Sequence, residues 1–246
     1  MLATKADFGV AFDGDGDRLA FVDENARFIG CDLMTALFAA KLLSQPGNRG
    51  KNVMYDLRSS GVVKEVIEAS GGVAEMCRVG HSHVKAAMRG QREGRVLDPK
   101  ATGEVIFAGE LSGHFFFGDC FSVDTSERAF LLALQIVSDD PRPFSQLVAP
   151  LGKFWQSGEI NYRLQDEAQK KPILDFLEQT YAQHRIFKLD GVSVQSRDWS
   201  FNVRFSNTEP LVRLTVESFR NAAELDRLVT EVEAVIVRYG GVRLGR

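Results

Sequence analysis

The sequence predicts an α/β protein with two domains. In the first part of the chain, apolar runs of strand length alternate with segments of helical spacing, which is typical of helices packed on a largely parallel sheet. Later in the chain, strand-like runs follow one another between two helical segments, which favours a smaller α+β domain with a mainly antiparallel sheet. The length of 246 residues is sufficient for two separate cores.

The first predicted elements are two strands joined by an acidic loop. The apolar runs 8–12 and 19–22 have strand length, and the loop lies between them. Residues 32–43 have helical spacing with Asp32 near the start, so a helix is expected there. The alternation continues with the strands NVMYDL, GGVAEMCRVG and EVIFAGE and the helices SSGVVKEVIEAS, SHVKAAMR and SERAFLLALQIVS.

A domain boundary is expected in the segment DDPRPFSQLVAPLG, because it combines a proline cluster with polar residues. Beyond it, the run SGEINYRL predicts a strand, and residues 165–184 predict a helix. The strands GVSVQS, SFNVRF and LVRLTVES follow, and the amphipathic segment NAAELDRLVTEVEAVIVRYG predicts a closing helix.

Composition and charge argue against several classes of partner. The net charge of −3, from 30 basic and 33 acidic residues, leaves no basic excess for nucleic acid or an anionic membrane surface, so a small-molecule partner is expected. The sequence shows neither an apolar run of membrane-spanning length nor the pattern of a signal peptide, so we expect a cytoplasmic protein. The three cysteines are widely separated and form no CxxC pair, so neither a disulfide framework nor a zinc knuckle is indicated.

The loop in GVAFDGDGDRLAFVD places Asp13, Asp15 and Asp17 at alternate positions. Like charges held this close repel one another, and a divalent cation would remove that cost. Two alternatives remain open on the residues alone. A calcium loop would use Glu24 at its twelfth position, although Arg18 stands where such a loop needs glycine and the flanks are strands. The other alternative is a solvated acidic turn.

A second motif, GELSGHFFF, places Glu110, Ser112 and His114 at two-residue steps before an aromatic run. A carboxylate, a hydroxyl and an imidazole on a glycine-containing loop could hydrogen-bond the vicinal hydroxyls of a sugar. The alternative is a structural histidine beside three core phenylalanines.

A third motif, RFSNTEPLVR, joins two predicted strands by a turn that contains proline. Arginine forks together with hydroxyl, amide and backbone N–H donors suit a phosphate group. The alternative is a polar hairpin turn. The candidate phosphate-binding residues are Arg204, Ser206, Asn207, Thr208 and Arg213.

A fourth motif, RVGHSHVK, lies between a predicted strand and a predicted helix, where α/β proteins present ligand-binding groups. His81 or His83 could bind metal or transfer a proton. Ser82 and His83 are sequence neighbours with no identifiable third partner, which argues against a catalytic dyad.

DGDGDR, GELSGH and RFSNTEPLVR, in this order, resemble the metal-, sugar- and phosphate-binding loops of the α-D-phosphohexomutases, and within them the phosphomannomutase/phosphoglucomutase enzymes. DLRSSGVV and VGHSHVK also resemble segments of that family, so the similarity covers essentially the whole chain. The resemblance implies a remnant of an α/β domain in residues 1–27, a three-layer α/β domain with a mixed sheet in 28–147 and a C-terminal α+β domain in 148–246.

The resemblance also implies roles for individual residues. Mg²⁺ would be bound by Asp13, Asp15 and Asp17, and Arg18 and His81 would support catalysis. Glu110, Ser112, His114 and Arg58 would contact the sugar. The phosphate that is not being transferred would be held by Arg204, Ser206, Asn207, Thr208 and Arg213.

The activity implied is the interconversion of hexose 6-phosphate and hexose 1-phosphate through a hexose 1,6-bisphosphate. The family transfers phosphate from a phosphoserine in a loop like T-A-S-H-N-P, and this sequence has no such loop. We therefore expect the C-terminal part of a mutase, inactive by itself, with the missing N-terminal part as a candidate partner. Two alternatives remain: a non-catalytic module that binds sugar phosphates, and specificity for phosphoglucosamine.

Overall fold

The computed structural model describes residues 1–91, 103–206 and 209–245, together with the backbone of 95–96. The chain forms two compact units, Met1–Lys153 and Phe154–Arg246. In the described residues, none of the helices combines the length and the apolar character needed to cross a bilayer.

The first unit begins with a small antiparallel sheet in the order β1-β2-β3, formed by β1 (Phe8–Phe12), β2 (Leu19–Asp23) and β3 (Phe28–Ile29). Alternate residues of β2 point into the core, so Leu19 and Phe21 are buried. The Phe21 ring lies 6.0 Å from the ring of Phe115 in the main part of the unit. The predicted strand, loop, strand arrangement around the acidic loop is therefore confirmed, and it is anchored through β2.

The main sheet of the first unit is mixed. Its central strand runs parallel to the two strands beside it, and the outer pairs are antiparallel. The prediction of a mixed sheet is confirmed, whereas the largely parallel sheet expected from the alternation alone holds only at the centre. In the order β6-β5-β4-β7-β8-β9, the strands are β4 (Asn52–Asp56), β5 (Val73–Cys77), β6 (Arg95–Val96), β7 (Val105–Gly109), β8 (Phe115–Phe117) and β9 (Val123–Asp124).

Helices cover both faces of this sheet, which gives three layers. Successive residues of β8 point to opposite faces. Phe115 lies 5.2 Å, ring to ring, from Phe38 of α1 (Cys31–Leu43), whereas Phe116 packs with Val84 of α3 (His81–Met88). The side chain of Ser60 caps the helix that begins at Gly61 by accepting a hydrogen bond from the Val62 N–H. The remaining helices are α2 (Gly61–Ala69), α4 (Ser126–Asp139) and α5 (Phe144–Val148).

The second unit is an antiparallel sheet with two helices packed on its core, so the predicted α+β architecture is confirmed. The helices supply buried residues at four-residue spacing, including Ile173 and Leu177 from one and Leu228 and Val232 from the other. The strands, in the order β11-β12-β13-β14-β10-β15, are β10 (Trp155–Leu164), β11 (Arg185–Phe187), β12 (Val192–Gln195), β13 (Trp199–Phe205), β14 (Leu211–Ser218) and β15 (Gly241–Arg243), and the helices are α6 (Lys170–Thr180) and α7 (Ala222–Arg238).

The helix predicted over 165–184 is shorter in the structure. A 3-10 turn at Glu167–Gln169 precedes α6, and the helix ends before Tyr181. Tyr181 leaves the helical path and packs its ring 5.0 Å from Phe201 and 5.7 Å from Trp199. Tertiary packing of this aromatic residue therefore ends the helix earlier than its spacing predicts.

Candidate functional site

The acidic loop brings three carboxylates together. One oxygen from each of Asp13, Asp15 and Asp17 lies within 4.8 Å of the others. Gly16 has φ +77°, a conformation that glycine adopts without strain, and its carbonyl accepts a hydrogen bond from the hydroxyl of Ser126. The loop is therefore tied to the first residue of α4.

Arg18 closes this loop on itself. Its backbone N–H donates to Asp13 Oδ1 at 3.2 Å, and its Nε donates to Asp13 Oδ2 at 2.6 Å. Desolvation raises the pKa of Asp13, but these hydrogen bonds outweigh it and hold the pKa below its ordinary value. In the structure Arg18 thus contacts the predicted metal-binding carboxylates directly.

The donor set fits a hard divalent cation. All three side chains offer oxygen, the ligand atom that Mg²⁺ and Ca²⁺ prefer. Asp17 Oδ1 is buried and accepts no hydrogen bond among the described residues; Arg18 Nε lies 3.6 Å from it, so the oxygen keeps its capacity to accept a ligand bond. Glu24, which the calcium-loop alternative requires, accepts hydrogen bonds from the Ser145 backbone at 3.1 Å and from its hydroxyl at 2.5 Å, so its carboxylate is engaged at the start of α5.

The GELSGH loop connects β7 to β8 and packs against β2. The N–H of Leu19, the first residue of β2 after the acidic loop, donates to the carbonyl of Gly113 at 3.1 Å, so the GELSGH loop is joined through its backbone to the end of the acidic loop. Gly113 has φ +95°, and a Cβ there would lie 2.6 Å from the carbonyl oxygen of Leu19. Only glycine permits this approach without displacement.

Glu110 is almost completely buried, with 1% of its surface exposed. Its Oε1 accepts a hydrogen bond from the Gly80 N–H at 2.8 Å, and its Oε2 lies 3.3 Å from His114 Nδ1. The side chain therefore joins the GELSGH loop to the segment that precedes His81. Its carboxylate is engaged with protein groups on both oxygens.

His114 lies at the centre of the polar groups in the first unit. Its Nδ1 is 2.9 Å from Ser112 Oγ, and its Nε2 is 3.5 Å from Asp17 Oδ2. Desolvation lowers the pKa of His114, but the hydrogen bond and charge of Glu110, with smaller help from Asp17, outweigh it and raise the pKa above its ordinary value. The His81 ring stacks on the His114 ring at 5.7 Å between centroids.

Lys85 and Asp124 belong to this cluster, and the sequence did not predict them as site residues. Lys85 Nζ lies 2.8 Å from Asp124 Oδ1, and His81 Nδ1 lies 3.6 Å from Asp124 Oδ2. Ligand atoms of Asp17, His114 and Asp124 also lie within 4.8 Å of one another. Lys85 was detectable as the residue one helical turn after His81, whereas Asp124 follows no recognisable local pattern.

Arg58 reaches the same edge of the sheet through a buried aspartate. Asp56 is completely buried; it accepts from Arg58 Nη2 at 2.6 Å and from the Leu111 N–H at 2.8 Å. Asp56 thus fixes the guanidinium of Arg58 beside the GELSGH loop. The strands β4, β5 and β7 end here, so the carboxyl ends of the parallel strands present the cluster.

The RFSNTEPLVR segment lies in the second unit, where it joins β13 to β14. Arg204 and Arg213 are directly opposite one another in the register of these strands. Ser206 follows β13, and its N–H donates to the carbonyl of Leu211 at 2.9 Å. The two other predicted phosphate-binding residues, Asn207 and Thr208, lie outside the described residues.

An α/β/α unit with helices on both faces of a mixed sheet, followed by an antiparallel α+β unit, is the architecture of solved phosphohexose mutases. The chain superposes on a phosphoglucomutase/phosphomannomutase family protein from Burkholderia thailandensis with a TM-score of 0.80 and 28% identity, covering 97% of this chain and 48% of that one. An N-acetylphosphoglucosamine mutase from Aspergillus fumigatus, at 17% identity and a TM-score of 0.63, shares the fold.

The chain belongs to the phosphoglucomutase/phosphomannomutase family. Residues 31–154 match its alpha/beta/alpha domain III, and residues 159–235 match its C-terminal domain. A phosphomannomutase from Methanocaldococcus jannaschii is 36% identical over 212 residues, which cover 86% of this chain and 43% of that protein. A phosphomannomutase from Escherichia coli K12 is 35% identical over 216 residues, which cover 87% and 44%. The chain thus spans a little under half the length of these relatives.

Proposed function

We propose that the chain is the C-terminal part of a phosphohexomutase that interconverts hexose 6-phosphate and hexose 1-phosphate through a hexose 1,6-bisphosphate. The observation that carries the proposal is the meeting of the acidic loop and the GELSGH loop, with His114 Nε2 3.5 Å from Asp17 Oδ2. The phosphoserine that donates the phosphoryl group would come from the part of the enzyme that the longer relatives carry in addition. Residues 1–27, 28–147 and 148–246 would correspond to a remnant of one mutase domain and two complete ones.

Asp13, Asp15 and Asp17 would hold Mg²⁺ in this proposal. Their oxygen donors support that assignment, as does Asp17 Oδ1, which accepts no hydrogen bond within the described part of the chain. When bound, the ion would offset negative charge on the phosphoryl oxygens. The solved Aspergillus fumigatus enzyme contains GlcNAc-6P and magnesium, and another structure of that mutase contains glucose 1,6-bisphosphate.

The sugar would be held by side chains at the carboxyl edge of the main sheet. Ser112 and His114 carry the hydrogen-bonding groups of the GELSGH loop, and the guanidinium of Arg58 is fixed nearby by Asp56. Because both Glu110 oxygens already meet protein groups, we propose that this carboxylate chiefly orients His114 and keeps a proton on its imidazole. His81, stacked on His114, and Arg18 would support the transfer.

The phosphate that is not transferred would bind in the second unit. Arg204 and Arg213 supply guanidinium forks from adjacent strands, which suit the geometry of phosphate oxygens. Ser206 and the adjoining Asn207 and Thr208 would add hydroxyl and amide donors.

Calorimetry of the purified chain with mannose 6-phosphate, with and without Mg²⁺, tests the proposal. We expect Mg²⁺ to tighten binding severalfold, and Asp17→Asn to abolish this dependence because the cluster loses one of its three carboxylates. Asp139→Asn is the matched control, since Asp139 is an exposed acid paired with Lys41 at 2.7 Å. Wild-type binding that ignores Mg²⁺, or an equal effect of both variants, would contradict the metal assignment.

A turnover assay tests whether the phosphoryl donor comes from outside this chain. The chain alone should not interconvert mannose 1-phosphate and mannose 6-phosphate, and activity should appear when the N-terminal half of a related mutase is added. Turnover by the chain alone would disprove the proposal that the phosphoserine donor comes from another part of the enzyme. Binding without activity under any complementation would favour a sugar-phosphate-binding module, and preference for glucosamine 6-phosphate would reassign the sugar.

A further inference from the structure

Glu159 lies between the two arginines of the proposed phosphate site, and neither the sequence motif nor the proposed ligand set includes it. Its Oε2 lies 2.5 Å from Arg204 Nη2, and its Oε1 lies 3.2 Å from Arg213 Nη1. One carboxylate therefore bridges two guanidinium groups from adjacent strands. Glu159 itself comes from β10, on the other side of β14 from β13.

The arginines need such a bridge because they stand directly opposite one another in the sheet. Like charges in directly opposed positions repel, and Arg204 is only 6% exposed, so water screens its charge poorly. The carboxylate of Glu159 offsets one of the two positive charges and fixes both side chains. Without it the two guanidinium groups would separate.

The backbone of β10 is shaped to direct Glu159 to this face. The pairing of β10 with β14 shifts register between Gln156 and Glu159, which marks a β-bulge. Gly158 within the bulge has φ +66°, and the hydroxyl of Ser157 accepts a hydrogen bond from the Val216 N–H at 2.9 Å. Bulges commonly re-aim a side chain in this way.

The bridge leaves donors free for a ligand. Glu159 accepts from one terminal nitrogen of each arginine. The Nε atoms of Arg204 and Arg213 are buried without a hydrogen-bond partner among the residues described. A purely structural ion cluster would be expected to pair such donors. Among the residues described, the second terminal nitrogen of each arginine also makes no hydrogen bond, so each fork retains a donor for an additional acceptor.

We propose that Glu159 is a positioning residue for phosphate binding, whose carboxylate holds Arg204 and Arg213 so that their remaining N–H groups face the phosphate of a hexose phosphate. The inference rests on the proposed function of the chain. Glu159 also repels an anion, but its side chain is 26% exposed, so solvent weakens that repulsion. Charge-assisted hydrogen bonds from arginine depend on the geometry of the fork, so losing the alignment of both arginines outweighs the relief of repulsion.

The test compares Glu159→Gln with wild type in calorimetric titrations with mannose 6-phosphate. We expect about tenfold weaker binding, because the amide cannot offset the charge of two arginines. Glu209→Gln is the matched control: Glu209 lies 4.0 Å from Arg213 Nη2 but makes no bridge to Arg204 in the described part of the structure, so its loss should change affinity less than twofold. Unchanged or tighter binding by Glu159→Gln would overturn the inference. Absence of binding by the wild type would instead refute the proposed function.

A double-mutant cycle separates positioning from general damage to the fold. If Glu159 acts through the arginines, Glu159→Gln should weaken binding much less when Arg213→Gln is already present. Additive losses in the two variants would overturn the inference. If Glu159→Gln does not fold, Glu159→Asp keeps the charge but shortens the reach, and it should weaken binding in a folded protein. Wild-type affinity in that variant would likewise overturn the inference.

Discussion

Cys31 shows how burial controls the chemistry of a single residue. Its thiol is buried at the start of α1 and donates to the carbonyl of Leu19 at 3.4 Å. Burial, with smaller contributions from the charges of Asp32 and Asp56, raises the pKa of this thiol to about 12. It therefore stays protonated and unreactive at pH 8, because the thiolate is the nucleophile.

Thiol labelling at pH 8 tests this conclusion. Cys120 is partly exposed, whereas Cys31 and Cys77 are buried, so a disulfide reagent such as DTNB should react rapidly with one thiol per native chain. All three should react once the chain is unfolded in guanidinium chloride. Rapid labelling of Cys31 in the native protein, located by peptide mass spectrometry, would show that this thiol is neither buried nor kept protonated in the native state.

The candidate site was predictable where its residues are close in sequence. Asp13, Asp15 and Asp17 stand two residues apart, so their proximity follows from the loop itself. Asp124 and Glu159 were missed because each meets its partners only through tertiary contacts between segments distant in sequence. Asp124 meets Lys85 of α3, and Glu159 of β10 meets Arg204 and Arg213 of β13 and β14. A single acidic residue in a strand carries no sequence signal of the distant groups that it will contact.

Gly113 determines how two elements fit together. A Cβ at this position would lie 2.6 Å from the backbone carbonyl of Leu19, and backbone cannot rotate away as a side chain can. Gly113→Ala should therefore separate β2 and the acidic loop from the GELSGH loop. We expect a loss of about 2–4 kcal/mol in the free energy of unfolding, from strain at positive φ together with this clash.

Gly16→Ala is the matched control for that change. Gly16 also has positive φ, +77°, but a Cβ there would meet nothing within 4 Å. Its substitution should cost only the backbone strain, about 1–2 kcal/mol. Urea titrations followed by circular dichroism measure both variants. Equal losses would show that the contact with Leu19 does not determine the stability of this junction.

Strand direction was only partly predictable from the hydrophobic pattern. The alternation of strands and helices predicted a largely parallel sheet, and β4 does pair parallel with β5 and β7. β8 follows β7 after the short loop 110–114, and a parallel connection would need a crossover of roughly a dozen residues or more. The length of the loop, more than the composition of the strands, therefore makes this pair antiparallel.

At the scale of the whole molecule, the second unit has the core and the local signals needed to fold by itself. The core of the second unit draws all its members from within residues 160–239, on both helices and on the sheet. Its last helix, α7, is capped by Asn221, whose side chain accepts from the Glu224 N–H at 2.8 Å. The helix cap and the core contacts therefore favour the same structure within the unit, and such agreement between local and tertiary interactions favours cooperative folding.

The second unit, expressed alone as residues 154–246, should unfold in a single cooperative transition. Leu177 is fully buried in its core, so Leu177→Ala should lower the free energy of unfolding by about 2–5 kcal/mol. If the unit folds independently, this loss should be the same in the isolated unit and in the corresponding transition of the full chain. Guanidinium titrations followed by tryptophan fluorescence suit the measurement, because Trp155 and Trp199 both lie in this unit. A non-cooperative transition of the isolated unit, or a much smaller loss in one context, would show that its core depends on the rest of the chain.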